Sequence, residues 1–346
     1  MSFSKEKREQ IIFRFLKEIK YQPHRSIAAI CQSLGISKQT GYRYTQALER
    51  EGVLYKPAGS SRYKLRAKNI FRFRIPNLGL DESVVYDENI APHIRSLPSA
   101  GIRKVKYASQ EMINNVIEHS EGAFLGIIVQ EDAVSVRLII SDDGIGIFKK
   151  IADTFSLPSM NDAILELDKG KCTTDPKRHT GEGIFFSSKM FDLFFIQANQ
   201  LTYIARNSQS RSFLLEDIKG QRLRGTRISM ELTKDDTGSI DDIFRQYSDG
   251  TTFAFNKTVV SVVHLIDRRN TTDMTLVSRS QARRLLHRFD RFSSVVLDFA
   301  EIESIGQGFA DEIFRVYRRE HPEVEISFIR ANSSIRRMIE HVQNTI

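Results

Sequence analysis

The sequence predicts a soluble, multidomain α+β protein: a basic helical module with a β-hairpin, a central α/β sandwich, and a second α/β unit. Three observations carry this reading. The formal charge of +8 over 346 residues is lopsided, because residues 1–70 hold 15 Lys/Arg against 5 Asp/Glu, a balance of +10 that leaves −2 on the rest. The stretch YASQEMINNVIEHS, Tyr107 to Ser120, sets Glu111, Asn115 and His119 at four-residue spacing on a helix. Those residues form a polar stripe at the rim of an apolar arc (Ala108, Met112, Ile113, Val116, Ile117), where a pocket wall belongs. After residue 238, short apolar runs alternate with amphipathic helical ones, the pattern of α/β layers.

Composition narrows the class. Hydrophobic residues make up 40% and charged ones 27%, ordinary for a chain that buries real cores. No apolar run approaches the ~20 residues a membrane helix needs, and MSFSKEKREQ lacks the apolar segment of a signal peptide. Cys31 and Cys172 stand far apart in no metal-like spacing, so neither a disulfide framework nor a zinc site is expected. The expectation is a cytoplasmic protein with reduced thiols and no membrane partner.

Residues 1–68 read as one module. KEKREQIIFRFLKEIK (5–20) puts Ile11, Ile12, Phe15, Leu16 and Ile19 on one face, and RSIAAICQSL (25–34) is a second amphipathic run ended by Gly35. Ser37 stands at an N-cap position before KQTGYRYTQALEREG, whose inner face is Tyr44, Ala47 and Leu48. After Gly52, VLYKPAGSSRYKLRA reads as a hairpin with a Pro-Ala-Gly-Ser turn. Three helices and a hairpin in this order make a winged helix-turn-helix. Lys38, Gln39, Thr40, Tyr42 and Arg43 lie at the start of the third helix, where a recognition helix reads base edges. Lys56, Arg62, Lys64 and Arg66 on the hairpin suit phosphate contacts. The fold also serves protein contacts; the +10 balance favours double-stranded DNA, and a homodimer reading two half-sites is a natural arrangement.

Residues 69–234 read as the central domain. Lys68 to Pro98 shows no clean periodicity beyond an extended NIFRFRIPN, with Pro76, Pro92 and Pro98 as breaks. The Glu111 helix is followed by strands at Ala123–Gln130 and Ala133 onward, the second running into Asp142-Asp143-Gly144-Ile145-Gly146. Two glycines after an acidic residue at a strand end let the backbone turn sharply and approach a ligand. A short helix and a Gly/Thr/Lys-rich loop lead to Gly181-Glu182-Gly183, which opens a helix whose N-terminus is an anion site. Strands are expected at Leu193–Ala198, Leu201–Arg206, Ser212–Glu216 and Gly225–Leu232.

Over residues 75–233 the chain resembles the GHKL (Bergerat-fold) ATPases, most closely the anti-sigma-type serine kinases. The N-box E-x-x-x-N-x-x-x-H is matched by Glu111, Asn115 and His119, and D-x-G-x-G by Asp142, Gly144 and Gly146. In the lid, Thr173-Thr174, Gly181 and Gly183 match while Asp175 replaces the usual Lys, and the closing G-T is Gly225-Thr226. The resemblance implies ATP and Mg²⁺ as cofactors. It makes Asp142 the acceptor for the adenine amino group, Gly144 and Gly146 the close backbone passage, and Asn115 the Mg²⁺ ligand. Glu111 becomes the group that orients and deprotonates the attacking oxygen. Thr173, Thr174, Gly181 and Gly183 serve the phosphate end, supported by Thr226. A histidine kinase fits poorly, since His93, between two prolines, is the nearby histidine ahead of the N-box.

Residues 235–346 form the third domain. Helices are expected at Ile240–Gln246, Arg279–Phe289, Phe309–Arg319 and Ser333–Val342, with strands around Thr252–Leu265, Ser294–Ala300 and Val324–Ile329. VVLDFAEIESIGQGFADEIF resembles STAS-like domains, the fold of anti-sigma-factor antagonists. Where those antagonists carry a phosphorylatable serine, this chain has Gly306-Gln307-Gly308; Ser304 is the nearest hydroxyl. A role in docking a protein partner therefore outweighs a phosphoacceptor role, and Asp311-Glu312 reads as helix-start charge.

Together these point to an ATP-dependent transcriptional regulator, a GHKL site controlling a DNA-binding winged helix and a STAS-like partner domain. The alternative is an anti-sigma-type serine/threonine kinase acting on a separate protein substrate; a scaffold with a degenerate site conflicts with the intact Glu111 and Asn115.

Overall fold

The computed structural model describes residues 4–172, 181–207, 211–216, 223–248, 254–266 and 273–344. Serine caps set the N-terminal module. Ser4 opens α1 (Lys5–Tyr21), Ser26 opens α2 (Ile27–Ser33) and Ser37 opens α3 (Lys38–Arg50), each hydroxyl accepting a first-turn amide. The crossing of α2 and α3 depends on Gly41, since a Cβ there would lie 2.1 Å from Cys31 Sγ. β1 (Leu54–Tyr55) and β2 (Lys64–Leu65) pair antiparallel, and the Ser60 amide donates to the Pro57 carbonyl to close a turn between them. Phe15, Leu16, Ile19, Ile30, Tyr44, Leu48 and Leu54 make a small separate core, which also takes in Val134 from the next unit.

The central unit is a seven-stranded sheet. β3 (Asn69–Pro76) is followed by α4 (Glu82–Asn89), capped by Asp81, and by α5 (Ser99–His119). α4 carries little signal in the sequence, because polar residues fill most of it and its buried apolar side chains are only Val85 and Tyr86. Next come β4 (Phe124–Glu131), β5 (Ser135–Asp142), α6 (Ile147–Thr154), α7 (Met160–Lys169) and α8 (Gly183–Met190). β6 (Leu193–Ala198), β7 (Leu201–Arg206), β8 (Arg211–Glu216) and β9 (Thr226–Thr233) complete the sheet, ordered β3-β4-β5-β9-β6-β7-β8 with every pairing antiparallel. α5 buries Val105, Ala108, Met112, Ile113 and Val116 in one cluster with Leu125, Ile127, Leu138 and Ile140 of the sheet.

The third unit holds α9 (Ile240–Gln246), β10 (Lys257–Ser261), β11 (Thr275–Leu276), α10 (Arg279–Leu286), β12 (Ser294–Asp298) and β13 (Ser304–Ile305). Then α11 (Gln307–Asp311) passes through a π-helical turn (Glu312–Tyr317) into α12 (Arg318–Glu320), followed by β14 (Glu325–Ile329) and α13 (Ser333–Asn344). β10, β12 and β14 form a parallel sheet, and β11 pairs parallel with β13. Of the strand region expected around 252–265, residues 257–261 are strand, a 3₁₀ turn takes Val262–Leu265, and 249–253 lie outside the described residues.

The second and third units share one continuous apolar cluster. α7 lies between them, buried from Asp162 through Lys169 although four of those residues are charged. Each charge is answered. Glu166 meets Lys169 at 2.6 Å, His287 at 3.0 Å and Arg288 at 3.1 Å, and Asp162 meets Arg284 at 2.6 Å. Asp168 accepts hydrogen bonds from the Tyr203 hydroxyl and the Ser261 amide, both at 3.0 Å. Among the described residues no helix is long and apolar enough to cross a membrane.

Candidate functional site

α5, the end of β5, the start of α8 and the start of β9 enclose a cavity of about 290 Å³. Its wall includes Glu111, Asn115 and His119 from α5, Asp142 and Gly146 from the strand-end loop, Gly181 and Gly183, and Thr226. The stripe predicted on the helix thus faces the cavity, while the arc beside it packs into the core. Thr173 and Thr174, and Asp175 with them, lie outside the described residues. The lining also holds residues that the sequence does not mark as part of the site, among them three polar ones. Tyr107 stands four before Glu111, so the stripe is one turn longer than the motif; Asn114 is three after it, and Lys150 comes from α6.

The loop from Asp142 to Ile147 is built by hydrogen bonds. Asp142 Oδ1 accepts the amides of Gly144 at 2.8 Å and Thr226 at 3.2 Å, and the Ile147 amide donates to Thr226 Oγ1 at 3.0 Å. Ser120 O accepts the Ile145 amide at 3.0 Å. A Cβ on Gly144 would sit 1.8 Å from Ser120 O, so the loop and the end of α5 are in backbone contact. Gly146 has φ +86°, and its missing side chain leaves room for Asn199. Asn199 clamps the loop by donating to Ile145 O at 2.9 Å and accepting the Lys149 amide at 3.1 Å. Its sequence signal was slight: an Asn in a two-residue strand junction, with Asn199 and Gln200 both at positive φ.

Electrostatically the wall is acidic. Burial raises the Asp142 carboxyl above the usual range, against the lowering pull of the Gly144 and Thr226 amides. Burial and the Glu111 and Glu182 carboxylates raise Tyr107. Glu111 lies against the first residue of α8, where a Cβ on Gly183 would be 2.0 Å from Oε2. Lys150, paired with Glu121 at 2.6 Å, is the Lys or Arg side chain on the wall among the described residues. The Cys172 amide donates to Gly181 O at 3.0 Å, joining the two ends of segment 173–180, and burial pushes the Cys172 thiol up to about 12. Among the described residues no three His, Cys, Asp or Glu side chains gather as a metal cage. Asn115 and Glu111 could share a hard cation whose remaining ligands come from water or phosphate.

In the N-terminal module Lys38, Gln39, Tyr42 and Arg43 are exposed on α3, and Arg62 and Lys64 on the hairpin. Tyr42 is 55% exposed. Thr40 differs, because it is half-buried and its hydroxyl lies 2.9 Å from Ser37 Oγ, which ties it to the helix cap. His93 stacks on Phe71, with ring centroids 3.7 Å apart.

In the third unit, Gly306 caps α11 and Ser304 lies in β13. Asp311 and Glu312 sit at the far end of α11 and not at its start. Asp311 pairs with Arg279 at 2.9 Å, and Glu312 accepts from Arg283 at 2.7 Å, so the two carboxylates tie α10 to the π-helical turn. The sequence family described as a STAS-like domain of unknown function (DUF4325) matches residues 281–336. No curated protein matches the chain. The chain is thus a multidomain α/β protein with a STAS-like C-terminal domain, as the 295–314 stretch led us to expect.

Proposed function

We propose that this protein is a cytoplasmic, ATP-dependent transcriptional regulator in which a Bergerat-type nucleotide site controls a winged helix-turn-helix and a STAS-like partner domain. The reading rests on one observation above all: Glu111, Asn115, Asp142, Gly146, Gly183 and Thr226 come from four separate segments and converge on one cavity. A structural helix edge or an ordinary glycine turn accounts for any one of them, but not for all of them around the same space.

The residues fit ATP and Mg²⁺. Gly183 on the wall leaves room for Glu111, and Gly144 lets the Asp142 loop pack against Ser120 O. Asp142 Oδ1 is held by two amides, and we assign its other oxygen to the adenine amino group. Asn115 would hold Mg²⁺, which when bound offsets the negative charge of the phosphate oxygens. Gly181, Gly183 and the N-terminus of α8 favour an anion through their amides and the helix dipole. Glu111, beside that N-terminus, would take the proton of an attacking hydroxyl. The Thr173-Thr174 pair joins the phosphate end by resemblance. Lys38, Gln39, Tyr42 and Arg43 would read double-stranded DNA, with Arg62 and Lys64 on its phosphates.

Calorimetry with Mg²⁺-ATP, paired with DNA retardation with and without nucleotide, tests both halves. We expect binding by the parent chain, loss of binding in Asn115→Ala, and a nucleotide-dependent change in retardation. Equal affinity in Asn115→Ala removes the metal assignment, and an unchanged retardation removes the regulator. The placement of Glu111 at the mouth of α8 supports a second reading, a serine/threonine kinase acting on a separate protein. ATP labelled at the γ-phosphate separates the two, since label moves to a protein only in a kinase.

A further inference from the structure

The N-terminal module is anchored by charge as well as by apolar contact. Glu231 of β9 is 1% exposed and accepts a hydrogen bond from the Tyr21 hydroxyl at 2.6 Å. Lys20, at the end of α1, reaches Glu231 at 2.9 Å, Asp132 at 2.5 Å and Ser135 Oγ at 2.5 Å. Arg137 adds a second cation to Glu231 at 2.7 Å, and Lys17 pairs with Asp235 at 2.8 Å. Val134, at the tip of the β4–β5 turn, is fully buried among Phe15, Leu16 and Ile19. Asp132 Oδ1 holds that tip by accepting the amides of Val134 and Ser135. Three carboxylates on the sheet side therefore face two lysines on the module side.

From this anchor two adjacent strands run to the cavity. β5 begins at Ser135 and ends at Asp142; β9 begins at Thr226 and ends at Thr233. They are paired antiparallel from Ser135↔Thr233 to Ser141↔Arg227. Seven steps at ~3.3 Å per residue separate the ends by about 23 Å. At the cavity end the strands are joined again, by the Thr226 amide on Asp142 Oδ1 and by Gly225, whose Cβ would lie 2.1 Å from Asp142 O.

We propose that β5 and β9 carry the occupancy of the cavity to the N-terminal module, with Glu231 as the latch that fixes the module to both strands. This rests on the nucleotide reading above. A ligand that draws Asp142 and Thr226 together shifts the strand pair as one body, and the module follows because Lys20 spans residues of both strands. Lys38, Gln39, Tyr42 and Arg43 on α3 are exposed, and the anchor's ion pairs are made by Lys17 and Lys20 of α1.

Hydrogen exchange of α1, with and without a non-hydrolysable Mg²⁺-ATP analogue, reads the latch directly. In the parent we expect nucleotide to slow exchange of the Lys17–Tyr21 amides at least threefold. In Glu231→Gln, nucleotide affinity stays within twofold of the parent, but exchange at α1 is faster and no longer responds. Lys20→Met, which cuts the latch from the module side and leaves the sheet intact, should behave the same if Glu231→Gln fails to fold. Nucleotide binding by the parent without any response at α1 overturns the latch and leaves the nucleotide reading standing. A response that persists in both variants also overturns it. Failure of the parent to bind nucleotide removes the function reading and this proposal together.

Discussion

Alanine in place of Gly144 perturbs the cavity at a point where nothing nearby can yield. The new Cβ would stand 1.8 Å from Ser120 O and 2.6 Å from Ser120 C, both backbone atoms. Ser120 O is already engaged by the Ile145 amide at 3.0 Å, so it cannot turn away. Ordinary contact begins near 3.4 Å, so the loop has to retreat about 1.6 Å in a close-packed interior. That retreat stretches the 2.8 Å bond from the Gly144 amide to Asp142 beyond hydrogen-bonding range. A hydrogen bond to a charged group contributes about 1.5–3 kcal/mol, so Mg²⁺-ATP should bind about 10- to 150-fold more weakly. Overpacking should also lower folding stability by about 1–3 kcal/mol. Isothermal calorimetry and a thermal melt measure the two effects. Gly35→Ala is the control: φ is +67° but no atom lies within 4 Å, so about 1–2 kcal/mol of strain should appear with nucleotide affinity unchanged. Binding by Gly144→Ala within twofold of the parent would refute the reasoning, because the Gly144 amide would not then be what positions Asp142 on the cavity wall.

Gly41→Ala drives a Cβ to 2.1 Å from Cys31 Sγ, a fully buried atom, and should cost about 1–3 kcal/mol; DNA retardation at 37 °C should weaken while Mg²⁺-ATP affinity holds. Lys169→Met removes a buried cation that bonds Glu166 at 2.6 Å and His287 O at 2.8 Å. Arg288 still faces Glu166, so the loss should lie near the lower end for broken buried pairs, about 3 kcal/mol, read from urea midpoints. Acid should also loosen the sheet around Lys234. Burial works against the Glu131 carboxylate, but hydrogen bonds from Lys234 and Asn69 prevail and hold it at about 2, below its ordinary 4.5. A carboxyl with a depressed folded value contributes stability that is complete above 4.5 and is lost as pH falls towards 2. Melting temperature should therefore drop across that window, and less steeply in Lys234→Met; parallel slopes would show that Glu131 carries none of it.

Much of this architecture is legible in the residues because its signals are local. Ser37 caps α3 where a serine before an apolar-periodic run belongs, and the Glu111, Asn115 and His119 stripe needs only the helical period to be seen. What stayed hidden is what depends on partners distant in sequence. Asn199 looks like any turn residue until Gly146 is placed against it. Glu231 has the alternation of an outward strand residue, and its burial depends on Lys20 and Tyr21 at the distant end of α1. α7 reads as a mixed helix because Asp162, Glu166, Asp168 and Lys169 look solvated, yet Ser261, Arg284, His287 and Arg288 meet them from the third unit. Asp311 and Glu312 misled in part for the same reason: Arg279 and Arg283 come from another helix, although Arg315, four residues on, also pairs with Asp311.

The burial of α7 from Asp162 through Lys169 has a consequence for how such a chain can be recombined. A helix with charges on several faces, each matched by a separate neighbour, is a shared part and belongs to neither unit alone. Cutting the chain between residues 234 and 235 would strip Arg284, His287, Arg288 and Ser261 from Asp162, Glu166 and Asp168, leaving ionised groups against an uncovered apolar surface. The two halves then cannot be exchanged as independent cassettes. A transplant that works has to move residues 160–171 together with their cover at 257–266 and 279–291, and sequence change on either side has to be matched on the other.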